Sequence, residues 1–326
     1  MLRNIQSSGL GLRGIGVFNP LSITSSTPFL WCEVDQGTIF SGDALSAGTT
    51  PPVVTITGTN SVAFPTVKVR IAVGGARGTA TYETSHDNIT WAAPTATVAS
   101  VNVGPFTINF PVGTYNINNT YDANPQTLND MTTQANHMAC NSLTGPLITP
   151  NSLGGRAGFT VTSTAYFRRS VLTNTRSVTG PMTIIINGVS PFSTGLVILC
   201  GGVNFMRDIR SGGAGEWAVT SVGVGYFSPG VIASSNRDFQ LSASWNGANS
   251  LGEIRQRGLA TASGVGNPSD PAALGLTNLA WGAHSSGVQP ALDFRLTSIF
   301  ACDGLISDTD LKYLRDGFAY RYSITS

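Results

Sequence analysis

At 326 residues the chain can hold one large sandwich or two to three domains, and a hydrophobic share of 41% supplies a proper core. Charged residues are only 11% of the chain and the formal net charge is +1, which excludes a disordered chain and leaves no basic stripe for nucleic acid. No apolar run reaches the roughly 18 residues of a membrane span, so neither nucleic acid nor a membrane is an expected partner.

Low charge with Gly 38 and abundant Thr and Asn is the composition of many short strands joined by tight turns. Residues 1–26 are Gly- and Ser-rich and read as an N-terminal arm. Their first residues lack an apolar core of signal-peptide length, so Sec export is not expected. Gly9-Leu-Gly11-Leu-Arg-Gly14 matches a dinucleotide fingerprint in letters only, because no strand precedes it and Pro20 follows it. Pro28 to Asp35 is an opening strand. Glu33 and Asp35, two apart, share one of its faces, a pair with a glycosidase reading, and position 37 is Gly.

From Thr50 to Asp122 the pattern becomes a clean period of two. Val54 and Ile56, Val67, Val69 and Ile71, Ala80 and Tyr82, and Phe106, Ile108 and Phe110 each alternate with polar residues. That predicts a small antiparallel sandwich over 51–121. Further strands are expected at Met182–Ile186, Gly195–Cys200, Trp217–Thr220, Phe239–Ala243 and Leu279–Gly282, with a loop at 258–273. Trp245-Asn246, in a Gly-flanked turn, offers an aromatic face beside an amide and is the candidate ligand-binding pair. Phe294–Cys302 is a final strand. Ser307 follows as an N-cap with Asp310 three residues on, a capping-box-like start to a helix whose Leu311, Leu314, Phe318 and Tyr322 share one face.

Cys32, Cys140, Cys200 and Cys302 lack metal or redox spacing and read as free, mostly buried thiols. His86, His137 and His284 are too scattered for zinc. No cofactor is expected, with calcium the one open case: Asp35, Asp43, Asp122 and Asp130 fall near the junction of the two predicted bodies, and hard cations take clustered oxygens. No nucleophile elbow, Cys–His pair or row of three acids is present, so no catalytic residue is assigned and a non-enzyme is expected. Only Lys68 and Lys312 are lysines among 18 basic residues, and arginine suits interfaces, which favours a homo-oligomer.

Two resemblances organise these elements. The strand ending at Cys302, Leu305-Ile-Ser-Asp-Thr-Asp-Leu311 and the helix closing on Tyr320-Arg-Tyr-Ser-Ile324 resemble the end of concanavalin A-like (laminin G-like) jelly-roll domains. The opening strand with Trp31 and Glu33 resembles their beginning. In the middle, His137 matches the family's histidine, while Leu128 replaces its tryptophan and the Gly-rich turn is lacking. Within 51–121, Gly74-Gly75-Ala-Arg-Gly78, Ser85-His-Asp-Asn-Ile-Thr-Trp91 and Phe110-Pro-Val-Gly-Thr-Tyr115 resemble, in order, an immunoglobulin-like module recurrent in tailed-phage virion proteins.

The resemblance implies an all-β fold: a discontinuous concanavalin A-like jelly roll (27–50 and 122–326), an inserted immunoglobulin-like sandwich (51–121) and one C-terminal helix. It further implies a non-enzymatic structural protein of a virion, as capsid decoration or a tail or baseplate component, partnered by other capsid or tail proteins. The alternatives are a glycan-binding protein that recognises a host surface glycan, and a glycoside hydrolase of the same fold.

Overall fold

A computed structural model describes residues 18–161, 165–169, 182–190, 197–201, 203–211, 214–220, 226–227, 237–245, 250–258, 260–266, 279–281 and 294–324. The fold is an all-β jelly-roll sandwich with a smaller inserted sandwich and a C-terminal helix. The central strand is Arg295–Asp303, buried along nearly its whole length. The opening strand Thr27–Glu33 pairs with it antiparallel, placing Trp31 opposite Phe300, and Met182–Ser190 pairs along its other edge. Arg237–Trp245, Ser250–Gln256 and Ala262–Gly266 extend this back sheet outward. The last of these falls in the stretch expected to be loop at 258–273, where Gly258 at φ +71 turns the chain back. Gly9–Gly14 lies outside the described residues.

The central strand serves two cores because its two faces are both apolar. Leu296, Ile299 and Ala301 join the core between the sheets, while Phe300 and Cys302 face the helix. Leu296 and Ile299 are an odd number apart, so strict alternation would send them to opposite faces. The register shift opposite Asn187/Gly188 leaves Thr297 as an extra residue, a bulge that resets which side faces inward. Between the sheets, Phe159 meets Phe167 and Trp281 edge-to-face at 5.0 and 4.9 Å. On the far side lies the helix Asp308–Arg321, capped by Ser307, whose side chain accepts the Asp310 N–H. Leu314, Phe318 and Tyr322 press into Trp31, Ile185 and Phe300. Asp310 does not close a capping box. Its Oδ2 instead accepts from the Thr24 and Ser25 N–H groups and the Ser25 hydroxyl, tying residues 24–25 to the helix.

The front sheet continues from the jelly roll into the insert. Ile39–Phe40 pairs with Pro125–Leu128 on one edge and with Thr55–Thr59 on the other, and Phe106–Asn109 and Ser100–Val103 follow. Opposite them stand Leu45–Ala47, Thr120–Asp122, Lys68–Val73, Thr81–Ser85 and Thr95–Ala96. Every apolar residue of the alternating pattern is buried, and the hydrophobic cluster of the insert runs on into that of the jelly roll. Tyr115 donates its hydroxyl to the Pro111 carbonyl at 2.7 Å.

Asn60 sits at the join. Its Oδ1 accepts the Thr38 N–H at 2.8 Å, and its Nδ2 donates to the Val34 and Pro65 carbonyls at 2.8 and 2.9 Å. Asn60→Ala would orphan a buried donor, so denaturant titration should show a loss of about 1–3 kcal/mol. A variant as stable as wild type would mean that the join is held by the strand pairing alone.

Candidate functional site

The acidic pair of the opening strand does not form an open site. Glu33 ends the opening strand and Asp35 lies in the turn after it, so the two do not share a strand face, and both are buried on Arg156. Their side chains are 0% and 2% exposed. Arg156 Nη2 donates to Glu33 Oε2 at 2.7 Å and to Asp35 Oδ1 at 2.9 Å. Arg156 Nε approaches Asp35 Oδ2 to 2.6 Å and Arg321 Nη1 approaches Glu33 Oε1 to 2.8 Å, as ion-pair contacts without hydrogen-bond alignment. The indole N–H of Trp31 donates to Glu33 Oε1 at 3.2 Å. Burial pushes the Glu33 carboxyl above its usual range, an effect the two guanidinium groups only partly offset. A polymeric substrate cannot reach this cluster. It fastens the opening strand and the helix to the hairpin that carries Arg156.

Of the four acids weighed for calcium, Asp35, Asp122 and Asp130 have their carboxylates engaged, while Asp43 is exposed. Asp35 holds Arg156 and Asp122 holds Lys68 at 3.4 Å. Asp130 accepts from the N–H groups of Trp31, Thr132 and Asn136 and from the Thr132 hydroxyl. Asp43 bridges to Thr55 through its backbone. Among the described residues no three His, Cys, Asp or Glu side chains group as metal ligands. His137 precedes the strand Met138–Cys140, and its Nδ1 accepts the Asp130 N–H at 3.1 Å. Cys32 and Cys302 are buried free thiols, and Cys140 is half-buried. Burial raises the Cys302 thiol to about 12. Trp245 ends its strand opposite Met182. Its side chain, Asn246, His284 and the side chain of Cys200 lie outside the described residues.

An open cleft of about 600 Å³ lies between the insert and the jelly roll. Phe64, His86, Asp87 and Trp91 line it from the insert, and Pro150 and Asn151 from the jelly roll. The insert wall is the turn that follows Thr81–Ser85. Asp87 Oδ1 accepts from the Ser85 hydroxyl (3.0 Å) and from the Ile89 and Thr90 N–H groups (2.8 and 2.7 Å), an Asx turn that lets Asn88 take φ +61. Ala92 then returns its N–H to the Thr84 carbonyl, which seats Trp91 at the rim. The Arg70 guanidinium lies 4.2 Å over the indole and its Nε donates to Glu83 at 3.1 Å, so the ring is held in place from one side. His86 Nδ1 donates to the Thr66 carbonyl at 2.8 Å, with Phe64 edge-to-face at 4.7 Å.

The opposite wall is the hairpin of Ile148–Leu153 and Arg156–Thr160. Gly154 and Gly155, at φ +57 and +78, make its two-residue turn, while Asn151 at φ +52 marks the register shift within its first strand. The three backbone N–H and O–H donors on Asp87 hold its carboxyl well below the usual carboxylate range. The cleft therefore offers an indole, a phenyl ring, a fixed carboxylate, an imidazole and an amide. In the sequence Asp87 and Trp91 are landmarks of a hairpin, and His86 is a landmark and a histidine too isolated for zinc. Nothing in the sequence joins them to Asn151.

No protein-family profile matches the chain, and no curated protein does. Solved structures do. An arabinofuranosidase complexed with arabinofuranosyl-alpha-1,2-xylobiose aligns with a TM-score of 0.50 at 10% identity, over 94% of this chain and 65% of that one. The two share a fold. Trypanosoma rangeli sialidase in complex with sialic acid aligns at 0.39 and 9% identity, over 87% and 54%. Domain 4 of a GH43 extracellular arabinanase from Geobacillus stearothermophilus, in complex with arabinotriose, aligns at 0.37 and 10% identity, over 53% and 82%. The chain thus spans less than two thirds of the length of the arabinofuranosidase and of the sialidase.

One expectation is corrected here. The chain was expected to be a non-enzyme because its sequence carries no catalytic motif. The arabinofuranosidase that shares its fold is a glycoside hydrolase, so the missing motif does not make the chain a non-enzyme.

Proposed function

We propose that the chain is a carbohydrate-binding protein that takes an oligosaccharide into the cleft between its two sandwiches. The observation that carries this is Trp91, braced by Arg70 at the rim of a cleft that also holds Asp87 and Asn151. A sugar ring has an apolar C–H face that rests on an indole and a rim of hydroxyls that bond to carboxylate and amide groups. A concave site with aromatic walls and a few placed polar groups matches both. The branched xylobiose held by the arabinofuranosidase of the same fold supports this ligand class. In this proposal residues 51–121 are the insert that supplies one wall, and 27–50 with 122–326 supply the other.

Calorimetric titration of the full chain with arabinotriose, xylotriose, lactose and sialyllactose tests the reading. Wild type binds at least one of them, and Trp91→Ala loses about tenfold or more, the effect of removing roughly 1.4 kcal/mol of stacking. Trp245→Ala, at the other candidate aromatic, leaves binding unchanged. Loss in Trp245→Ala with none in Trp91→Ala would move the site to the pair Trp245 and Asn246. Following the same mixtures for released reducing sugar decides whether bound glycan is also cut.

The proposed setting is a tailed-phage virion, with other capsid or tail proteins and further copies of the chain as partners and a host surface glycan as the ligand. Its support is the ordered run of landmarks from Gly74 to Tyr115. Mass spectrometry of gradient-purified particles should find the chain at a defined copy number. Its absence from them removes the setting and leaves the cleft untouched.

A further inference from the structure

The charges around the cleft bear on which sugars it takes. Among the described residues lining it, Asp87 is the one with a full charge, and no lysine or arginine lines it. The Arg70 guanidinium, which could have balanced that carboxylate, is spent on the Trp91 ring and Glu83. His86 has its Nδ1 proton committed to the Thr66 carbonyl. Asp87 itself is fixed through Oδ1 by Ser85, Ile89 and Thr90, which keeps it ionised at working pH.

Resting on the glycan-binding reading, we infer that the cleft selects uncharged glycans against those bearing a carboxylate, and that Asp87 is the residue that sets the choice. A neutral sugar brings hydroxyl donors to the Asp87 carboxylate. A uronic or sialic acid brings a second anion, and no lysine or arginine in the lining balances it. For two unit charges about 6 Å apart in a partly solvated cleft, the repulsion amounts to about 3- to 10-fold in affinity.

The test uses sugar pairs that differ by one acidic residue: xylotriose against glucuronoyl-xylotriose, and lactose against sialyllactose. Wild type should bind the neutral member of a pair about 3- to 10-fold more tightly, with the gap narrowing as salt rises. Asp87→Asn keeps the Oδ1 acceptor of the turn and removes the charge, so the gap should close to within about twofold. Equal binding of both members by wild type, at low and high salt, overturns the inference while leaving the glycan-binding reading standing. A gap that persists unchanged in Asp87→Asn overturns the assignment to Asp87. Binding of neither member of either pair overturns the glycan-binding reading itself, and the inference with it.

Discussion

A chain carrying Arg156→Met should unfold with about 3–5 kcal/mol less resistance than wild type in a urea titration. Methionine fills a similar volume, so the effect isolates charge from packing. Without Arg156 the Asp35 carboxylate, 2% exposed, faces no guanidinium, and Glu33 keeps only Arg321. Arg156 itself is 15% exposed, so some water reaches the site and the lower end of the range is expected. Glu33→Gln should cost less, since the amide oxygen still accepts from Trp31.

The same carboxylate gives a pH signature. Burial raises the Glu33 pKa in the native state above its value in the unfolded chain. Between those two values the native state holds a proton that the unfolded chain has released, so this group's contribution to stability is full below about pH 4.3 and falls as pH rises through the native pKa. Urea midpoints measured across that window should fall with rising pH in wild type and flatten in Glu33→Gln. An equal slope in both proteins would assign the titration to another group.

Phe318→Ala is expected to cost about 3–5 kcal/mol, the range for emptying a fully buried aromatic site. Phe318 joins three parts of the chain: Phe18 of the arm at 4.9 Å edge-to-face, Phe300 of the central strand at 5.8 Å, and Tyr322 at 6.4 Å. Losing it should loosen the helix and residues 18–26 together, seen as a lower thermal midpoint and a reduced near-ultraviolet dichroism. Gly317→Ala separates the two. A Cβ there would meet the Phe18 ring at 2.1 Å, so the arm must shift while Phe318 stays. Its cost is reduced by alanine's helix preference of up to about 1 kcal/mol. A Phe318→Ala protein within 1 kcal/mol of wild type would mean that the polar contacts of Arg315 and Gln240, and not the apolar face, seat the helix.

The outer limits of the fold were legible because each carries a local signal. The strand before Cys302, the cap at Ser307 and the face Leu311, Leu314, Phe318 and Tyr322 follow from apolar content, capping chemistry and helical period. The insert's strands follow from a period of two. What was not legible depends on where distant segments meet. The extra residue at Thr297 is invisible until Asn187 is paired with Ser298. Asp310 looked like half of a capping box, and only the folded arm shows that it binds Thr24 and Ser25.

The strand ends at Glu33 and Asp35 falls in the turn beyond it, and the sequence does not say that Arg156 would close over both and Arg321 over Glu33. The cleft was hidden for the same reason: one wall comes from residues 62–104 and the other from 150–157. Trp91, read in its hairpin alone, looks the same whether it packs or binds.

Hydrogen exchange on the full chain, with and without saturating xylotriose, tests the cleft most directly. Protection should appear together in peptides covering 84–92 and 150–157, the two walls, with little change elsewhere. Protection confined to 237–256, or none at all under saturation, would contradict a glycan site between the two sandwiches.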